Sequence, residues 1–335
     1  EIQLYNTSST TTAADATLNL TVITDTAPED DSDLYAGGSG TASDPYRIAN
    51  WMHLNNTRKN LDANFTLVAD LNDSTTGYDE VADATANGGK GFIPIGNNSF
   101  LFNSSFNGNG HTIDKLSVDR DEQNYIGLFG GVGIDGAITN LSLSTAEISG
   151  NGSTATLAGM NRGEIINVTA TGTITSNGSN TGGLVGYSNG GNVAESSATV
   201  QVITDGNKSG GLIGTAGGDA SISDSWADGN VNGTKNVGGL IGKVESQQGA
   251  EIVGSSHATG DINGTKKVGG LIGFNNDSDS TIENLSATGN VRGKSKVGGL
   301  IGQHRGGDII QSAASGDIYV TSSEGYQLGG LIGLI

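Results

Sequence analysis

A five-residue packet, Gly-Gly-Leu-Ile/Val-Gly, recurs through this chain and constrains its fold more than any other feature. Copies start at Gly182, Gly210, Gly238, Gly269, Gly298 and Gly329. Weaker copies stand at Gly127-Leu128-Phe129-Gly130 and Leu157-Ala158-Gly159. Aligned on leucine they fall at Leu128, Leu157, Leu184, Leu212, Leu240, Leu271, Leu300 and Leu331, 27 to 31 residues apart. Repetition at this period marks units that stack on one another, because one unit cannot bury its own apolar edge.

Each unit holds two further apolar packets. One is centred on Ile165-Ile166, Ile222, Ile252, Ile282 or Ile309-Ile310, and the other reads Ala-Thr-Gly-X-Ile/Val, as in Ala258–Ile262 and Ala287–Val291. Packets this short do not form helices, and β-branched residues between Gly turns point to strands. Three strands per unit of about 29 residues predict an all-β fold, a right-handed parallel β-helix or β-solenoid of about eight coils. At about 4.8 Å per coil the stack spans about 40 Å. The repeat leucines are expected to point inward as a ladder.

Composition agrees with that fold. Gly is 56 of 335 residues, Pro only 3, and charged residues are 15% against a net charge of −19. Glycine without proline excludes collagen and Pro-rich linkers. The surface must be dominated by Ser, Thr, Asn and Gly, which suits a secreted protein. The acidic balance disfavours nucleic acid and anionic membranes as partners. There is no Cys, hence no disulfide framework or thiolate metal site. No apolar run is long enough for a transmembrane helix. Residue 1 is Glu, which fits a start processed after a signal peptide.

Asn-X-Ser/Thr occurs at Asn6, Asn19, Asn55, Asn64, Asn72, Asn97, Asn103, Asn140, Asn151, Asn167, Asn177, Asn207, Asn232, Asn263, Asn276 and Asn284. Used as glycosylation sites, these place the chain outside the cell with covalent glycans. The competing reading makes Asn, Ser and Thr simply the turn residues of the fold. Asn151, Asn177, Asn207, Asn232 and Asn263 precede the repeat leucine by similar intervals and are expected to line one corner. Lys208, Lys235, Lys266, Lys267, Lys294 and Lys296 are expected at the same corner, either as a solvated edge with acidic neighbours or as a row that, beside a glycan-coated rim, meets acidic partners.

Gly-Gly-Leu-Ile-Gly at this period resembles the GLUG motif of large bacterial and archaeal surface proteins. These include adhesin-like proteins and the non-catalytic part of some metallopeptidases that cleave immunoglobulin A. The resemblance covers roughly residues 90–335. It implies an extracellular stalk or adhesive module.

The N-terminal third differs, giving three expected parts: a strand and acidic linker over 1–33, a cap with the first coils over 34–115, and the solenoid over 116–335. Asp44-Pro45, followed by Ile48, Trp51, Leu54 and Leu61, reads as an amphipathic helix with Asp44 as N-cap, covering the open apolar end of the solenoid. Phe106–Ile113 reads as a first coil, and residues 72–91 as a polar loop. Residues 16–23 alternate like a strand, with Leu18, Leu20 and Val22 on one face. That strand is expected to add to the open edge at Leu331, Ile332, Leu334 and Ile335, or to a side groove, of another copy, giving a head-to-tail homo-oligomer or filament; the alternative is that residues 1–33 fold back on their own solenoid.

Little catalytic chemistry is legible. His53, His111, His257 and His304 form no His-Glu-X-X-His pattern, and no nucleophile elbow, P-loop or dinucleotide fingerprint occurs. Polysaccharide-active β-helix enzymes need clustered carboxylates; Asp114, Asp119, Asp121 and Glu122, with Lys115 and Arg120, are the candidates. Two acidic loops, 29–33 and 276–279, have oxygen ligands that suit Ca²⁺ but lack EF-hand spacing. The expectation is a non-enzymatic structural or adhesive cell-surface protein without catalytic residues or a resident metal. The alternatives are a lyase or glycosidase on the same fold and a monomeric glycan-binding adhesin module.

Overall fold

The computed structural model describes residues 34–245, 249–321 and 327–335. The expected strand at 16–23 and the acidic linker before Leu34 lie outside the described residues. The rest is a parallel β-solenoid. One ladder of inward residues runs through it, pairing Tyr46 with Phe65, Phe65 with Phe106, Phe106 with Ile138 and Ile138 with Ile165. It continues through Val193, Ile222, Ile252, Ile282 and Ile309. The ladder passes the 115/116 position without a break in pairing.

A typical coil contains five short strands rather than three, for example Thr281–Glu283, Ser286–Ala287, Val291–Gly293, Ser295–Gly298 and Ile301–His304. The extra strands have two sources. The Ala-Thr-Gly packet divides at its glycine. The repeat packet divides at its second glycine and leucine, with the first glycine ending one strand and Ile-Gly opening the next. Leu271 lies between strands Lys266–Gly269 and Ile272–Asn275, at an inward bend that a linear pattern of apolar residues does not reveal. Leu128, Leu157, Leu184, Leu212, Leu240, Leu271 and Leu300 are all fully buried, as the repeat register predicts.

Stacking brings backbones of successive coils into contact. A Cβ added to Gly239 would lie 2.1 Å from the Gly270 carbonyl oxygen and 2.7 Å from the Ala258 Cβ. The second glycine of the packet and the alanine of Ala-Thr-Gly are therefore two halves of one contact. The final glycine closes the bend: a Cβ on Gly242 would lie 2.5 Å from the Ser209 nitrogen and 2.6 Å from the Gly214 oxygen. Side chains are excluded there because strand Ile241–Glu245 packs on the backbone of the preceding coil.

The N-terminal end departs from expectation in two places. Tyr46–Ile48 is a strand paired to Phe65–Leu67, and the helix runs from Trp51 to Asn56 with Asn50 as N-cap, its side chain accepting from the His53 N–H. Asp44 instead binds Arg47 in an ion pair at 3.1 Å. The inward alternation of Tyr46 and Ile48 over Phe65 and Leu67 outweighs the helix-start signal of Asp-Pro. Trp51 and Leu54 are fully buried, so the helix still covers apolar surface. Residues 72–91 are not a plain loop. They contain the helical turns Tyr78–Val81 and Ala86–Gly89, which bury Val81, Ala82 and Ala86.

Leu240 has a coil on either side, whereas Thr234 is exposed at an outer turn. Truncation of Leu240 to Ala is expected to cost about 2–5 kcal/mol through lost burial and a residual cavity. Thr234→Ala should cost far less. Urea midpoints of the two variants check this, and equal midpoints would contradict the inward leucine ladder.

Candidate binding surfaces

Asn6 and Asn19 lie outside the described residues; none of the other sequon asparagines is buried. They do not form one ladder. Asn207 pairs in register with Lys235, while Asn232 pairs with Ile203 and Asn263 on a different strand. A separate asparagine ladder occupies another corner. Asn140 and Asn167 adopt φ of 53° and 55°, a left-handed conformation that asparagine tolerates well. Asn167 Nδ2 donates to Asn140 Oδ1 at 2.8 Å, and Asn140 Nδ2 donates to Asn107 Oδ1 at 3.2 Å. Here the turn-residue reading has a concrete basis, since these amide groups already bond coil to coil.

The candidate carboxylates are not gathered into one constellation. Asp114 accepts from the Ser144 and Thr145 hydroxyls, each at 2.6 Å. Burial pushes its carboxyl pKa up, but these bonds outweigh that and hold it below the ordinary value. Lys115 is paired with Asp73. Arg120 is buried, and its Nε donates to the Phe92 carbonyl at 3.1 Å. Asp119 alone lines a cleft of about 480 Å³, together with Ser117, Glu147, Ser149, Thr173 and Thr175, beneath Ala84 and Gly89.

The acidic loop at 276–279 is tied to its own turn and to the preceding coil. Asp277 is fully buried, and its carboxylate accepts from the Ala250 N–H at 2.9 Å and the Asp279 N–H at 3.0 Å. The carboxylate is thereby engaged by backbone of its own turn and of the preceding coil; the loop at 29–33 lies outside the described residues. Among the described residues no group of three His, Asp or Glu side chains is placed to hold a metal. At the far edge, Leu331 and Ile335 are 40% and 85% exposed, while Ile332 and Leu334 pair with Ile301 and Gln303.

The lysines occupy two rows. Lys235 pairs with Lys266 along one strand position. Lys208, Lys267 and Lys296 hold left-handed φ of 66°, 57° and 56°, in line with Asn180 at 63° and Asn236 at 55°. All five stand two residues before the first glycine of the packet. Asparagine at two of these positions is the sequence signal for the turn, and the three lysines mask it. The Lys267 ammonium lies 3.3 Å from the centroid of the Phe274 ring, with Lys243 Nζ at 5.6 Å and Arg305 Cζ at 5.3 Å. Lys267 is only 9% exposed. Burial, then Lys296, Lys235, Arg305 and Lys243, push its pKa down to about 8.

Residues 264–292 match the family described as the GLUG motif. Over 184 residues, 52% of this chain, the sequence is 40% identical to "Halomucin" of Haloquadratum walsbyi, and covers 2% of that protein. Over 143 residues, 41% of this chain, it is 41% identical to the "Putative Gly-rich membrane protein" of Evansella cellulosilytica, and covers 16% of it. The chain thus spans a small part of the curated relatives it matches. A crystal structure of a "putative immunoglobulin A1 protease" from Bacteroides ovatus aligns over 87% of each chain, with a TM-score of 0.48 and 16% identity. The chain is a parallel β-solenoid that carries the GLUG motif at residues 264–292.

The lysine at position 267 has a testable pH signature. Its pKa of about 8 lies below the ordinary 10.5. The unfolded chain therefore binds more protons between those values, and stability gains from Lys267 as pH rises through that window. The Phe274 face beneath the ammonium offsets part of the cost of charging it. Lys267→Met should melt above the wild type at pH 7, and the gap should narrow between pH 8 and 10.5. A gap independent of pH would contradict the assignment.

Proposed function

We propose that this chain is a non-enzymatic structural segment of an extracellular cell-surface protein, with an adhesive role carried by its outer faces. The observation that carries this reading is the stacked repeat itself: the recurring apolar and glycine positions serve coil-to-coil packing. The names of its relatives, a halomucin and a putative Gly-rich membrane protein, support a surface location. Within the same proposal, head-to-tail assembly brings Leu18, Leu20 and Val22 of one copy to Leu331, Ile332, Leu334 and Ile335 of the next. A second reading as a polysaccharide-active enzyme has one feature in its favour, the cleft beside Asp119 and Glu147.

Two measurements on native material test the reading. Protease treatment of intact source cells should remove the segment while cytoplasmic proteins survive. Its intact mass should exceed that of the bare polypeptide if sequons are used. Protection from protease in intact cells would contradict the surface location. Release of reducing ends from an acidic polysaccharide, lost in Glu147→Gln, would favour the enzyme instead.

A further inference from the structure

Six cations converge on one outer face of the solenoid in a chain whose net charge is −19. They are Lys235, Lys243, Lys266, Lys267, Lys296 and Arg305. Lys235 and Lys266 are consecutive rungs of one parallel ladder, so their backbones repeat at about 4.8 Å along the solenoid axis. Lys267 and Lys296 form a second row beside them, set by the left-handed turn. Phe274 is 5% exposed and forms the floor between Lys243 and Gln303, its register partners.

Little on this face neutralises the charge. Among the described residues Glu245 is the one carboxylate in ion-pair contact with the group, 3.0 Å from Lys243 and 3.0 Å from the nearby Lys208. Lys296 Nζ donates to Gln303 Oε1 at 3.1 Å, and Arg305 donates to Asn276 Oδ1 at 3.2 Å, both neutral acceptors. The neighbouring charges that push the Lys267 pKa down, after burial, are the cations Lys296, Lys235, Arg305 and Lys243. A row of like charges one rung apart is unfavourable in an unliganded sheet. It becomes favourable when a ligand presents negative charges at the same repeat.

We propose that this face binds a linear acidic polysaccharide along the solenoid axis, its carboxylate or sulfate groups meeting successive lysine rungs. An extended polymer fits the two parallel rows, whereas a single small anion would engage only one rung. Lys267 supplies a desolvated ammonium held over Phe274, and Lys235 and Lys266, both exposed, supply the outer contacts. The choice of a polysaccharide rests on the surface location proposed above; the anion site itself does not.

Affinity electrophoresis of the whole chain in gels cast with polygalacturonate, dextran sulfate, neutral dextran or polyglutamate tests the proposal. Polygalacturonate or dextran sulfate should retard the protein, the one that does so identifying carboxylate or sulfate as the recognised group. Neutral dextran should not. The pair Lys235→Gln/Lys266→Gln should weaken binding by about tenfold or more. Lys59→Gln/Lys90→Gln, which removes the same charge from the N-terminal end, should change it less than about twofold. Matching melting temperatures would show that both pairs remain folded. Failure of both acidic polymers to retard the protein at low salt, or an equal loss in the two pairs, would overturn the site. Equal or stronger retardation by polyglutamate would overturn the polysaccharide and point to an acidic protein partner. A cytoplasmic location with binding intact would refute the surface reading alone.

Discussion

The solenoid depends on one close approach, the backbone of one coil lying against a glycine of the next. At Gly239 a single added methyl would meet the Gly270 carbonyl oxygen at 2.1 Å and the Ala258 methyl at 2.7 Å. The same arrangement holds at Gly183, Gly211, Gly270 and Gly299, each facing the following coil's carbonyl and an alanine. Each glycine loses backbone entropy on folding and contributes no side-chain burial. The compensation comes from the Leu and Ile that follow it, which the tight bend drives into the interior. The high glycine content follows from this geometry.

The same constraint decides where function has room. The inside of each coil is filled by ladders of Leu, Ile, Val and Ala, and the buried serines Ser196, Ser225 and Ser256 are used up in bonding coil to coil, so free polar side chains lie mainly at the outer turns. The carboxylates that looked clusterable are distributed by those turns. Asp114 serves hydroxyls of the next coil, and Asp277 holds its own turn to the preceding coil. Parallel stacking has the opposite effect on the lysines. Because like position stacks on like, a cation repeated in the sequence becomes a row in space, and its self-repulsion is built into the fold. The desolvated Lys267 is the sharpest instance, since the fold surrounds it with further cations and a ring.

Much of this was legible in the sequence. The spacing of Leu184, Leu212, Leu240 and Leu271 places them on one inward ladder, and the structure buries each of them. The bend inside the packet was not legible, because Gly-Gly-Leu-Ile-Gly reads equally well as one continuous strand. The helix start was misplaced because Asp44-Pro45 is a strong local signal, while the pairing of Tyr46 with Phe65 is a long-range one. The candidate anion face was half visible. The sequence shows the lysines, but their division into rows depends on a left-handed turn at Lys208, Lys267 and Lys296. Phe274 beneath them follows from strand register, which no motif near Lys267 announces.

The inter-coil glycine contact is tested most directly by comparing Gly239→Ala with Gly330→Ala. The two residues hold the same place in the packet. A Cβ at Gly239 strikes the next coil, whereas one at Gly330 meets nothing within 4 Å. The account predicts from urea unfolding that Gly239→Ala loses about 3 kcal/mol or more, while Gly330→Ala stays within about 0.5 kcal/mol of the wild type. Equal losses at the two positions would mean that glycine is needed for the bend within a coil, and would contradict the contact between coils as the governing constraint.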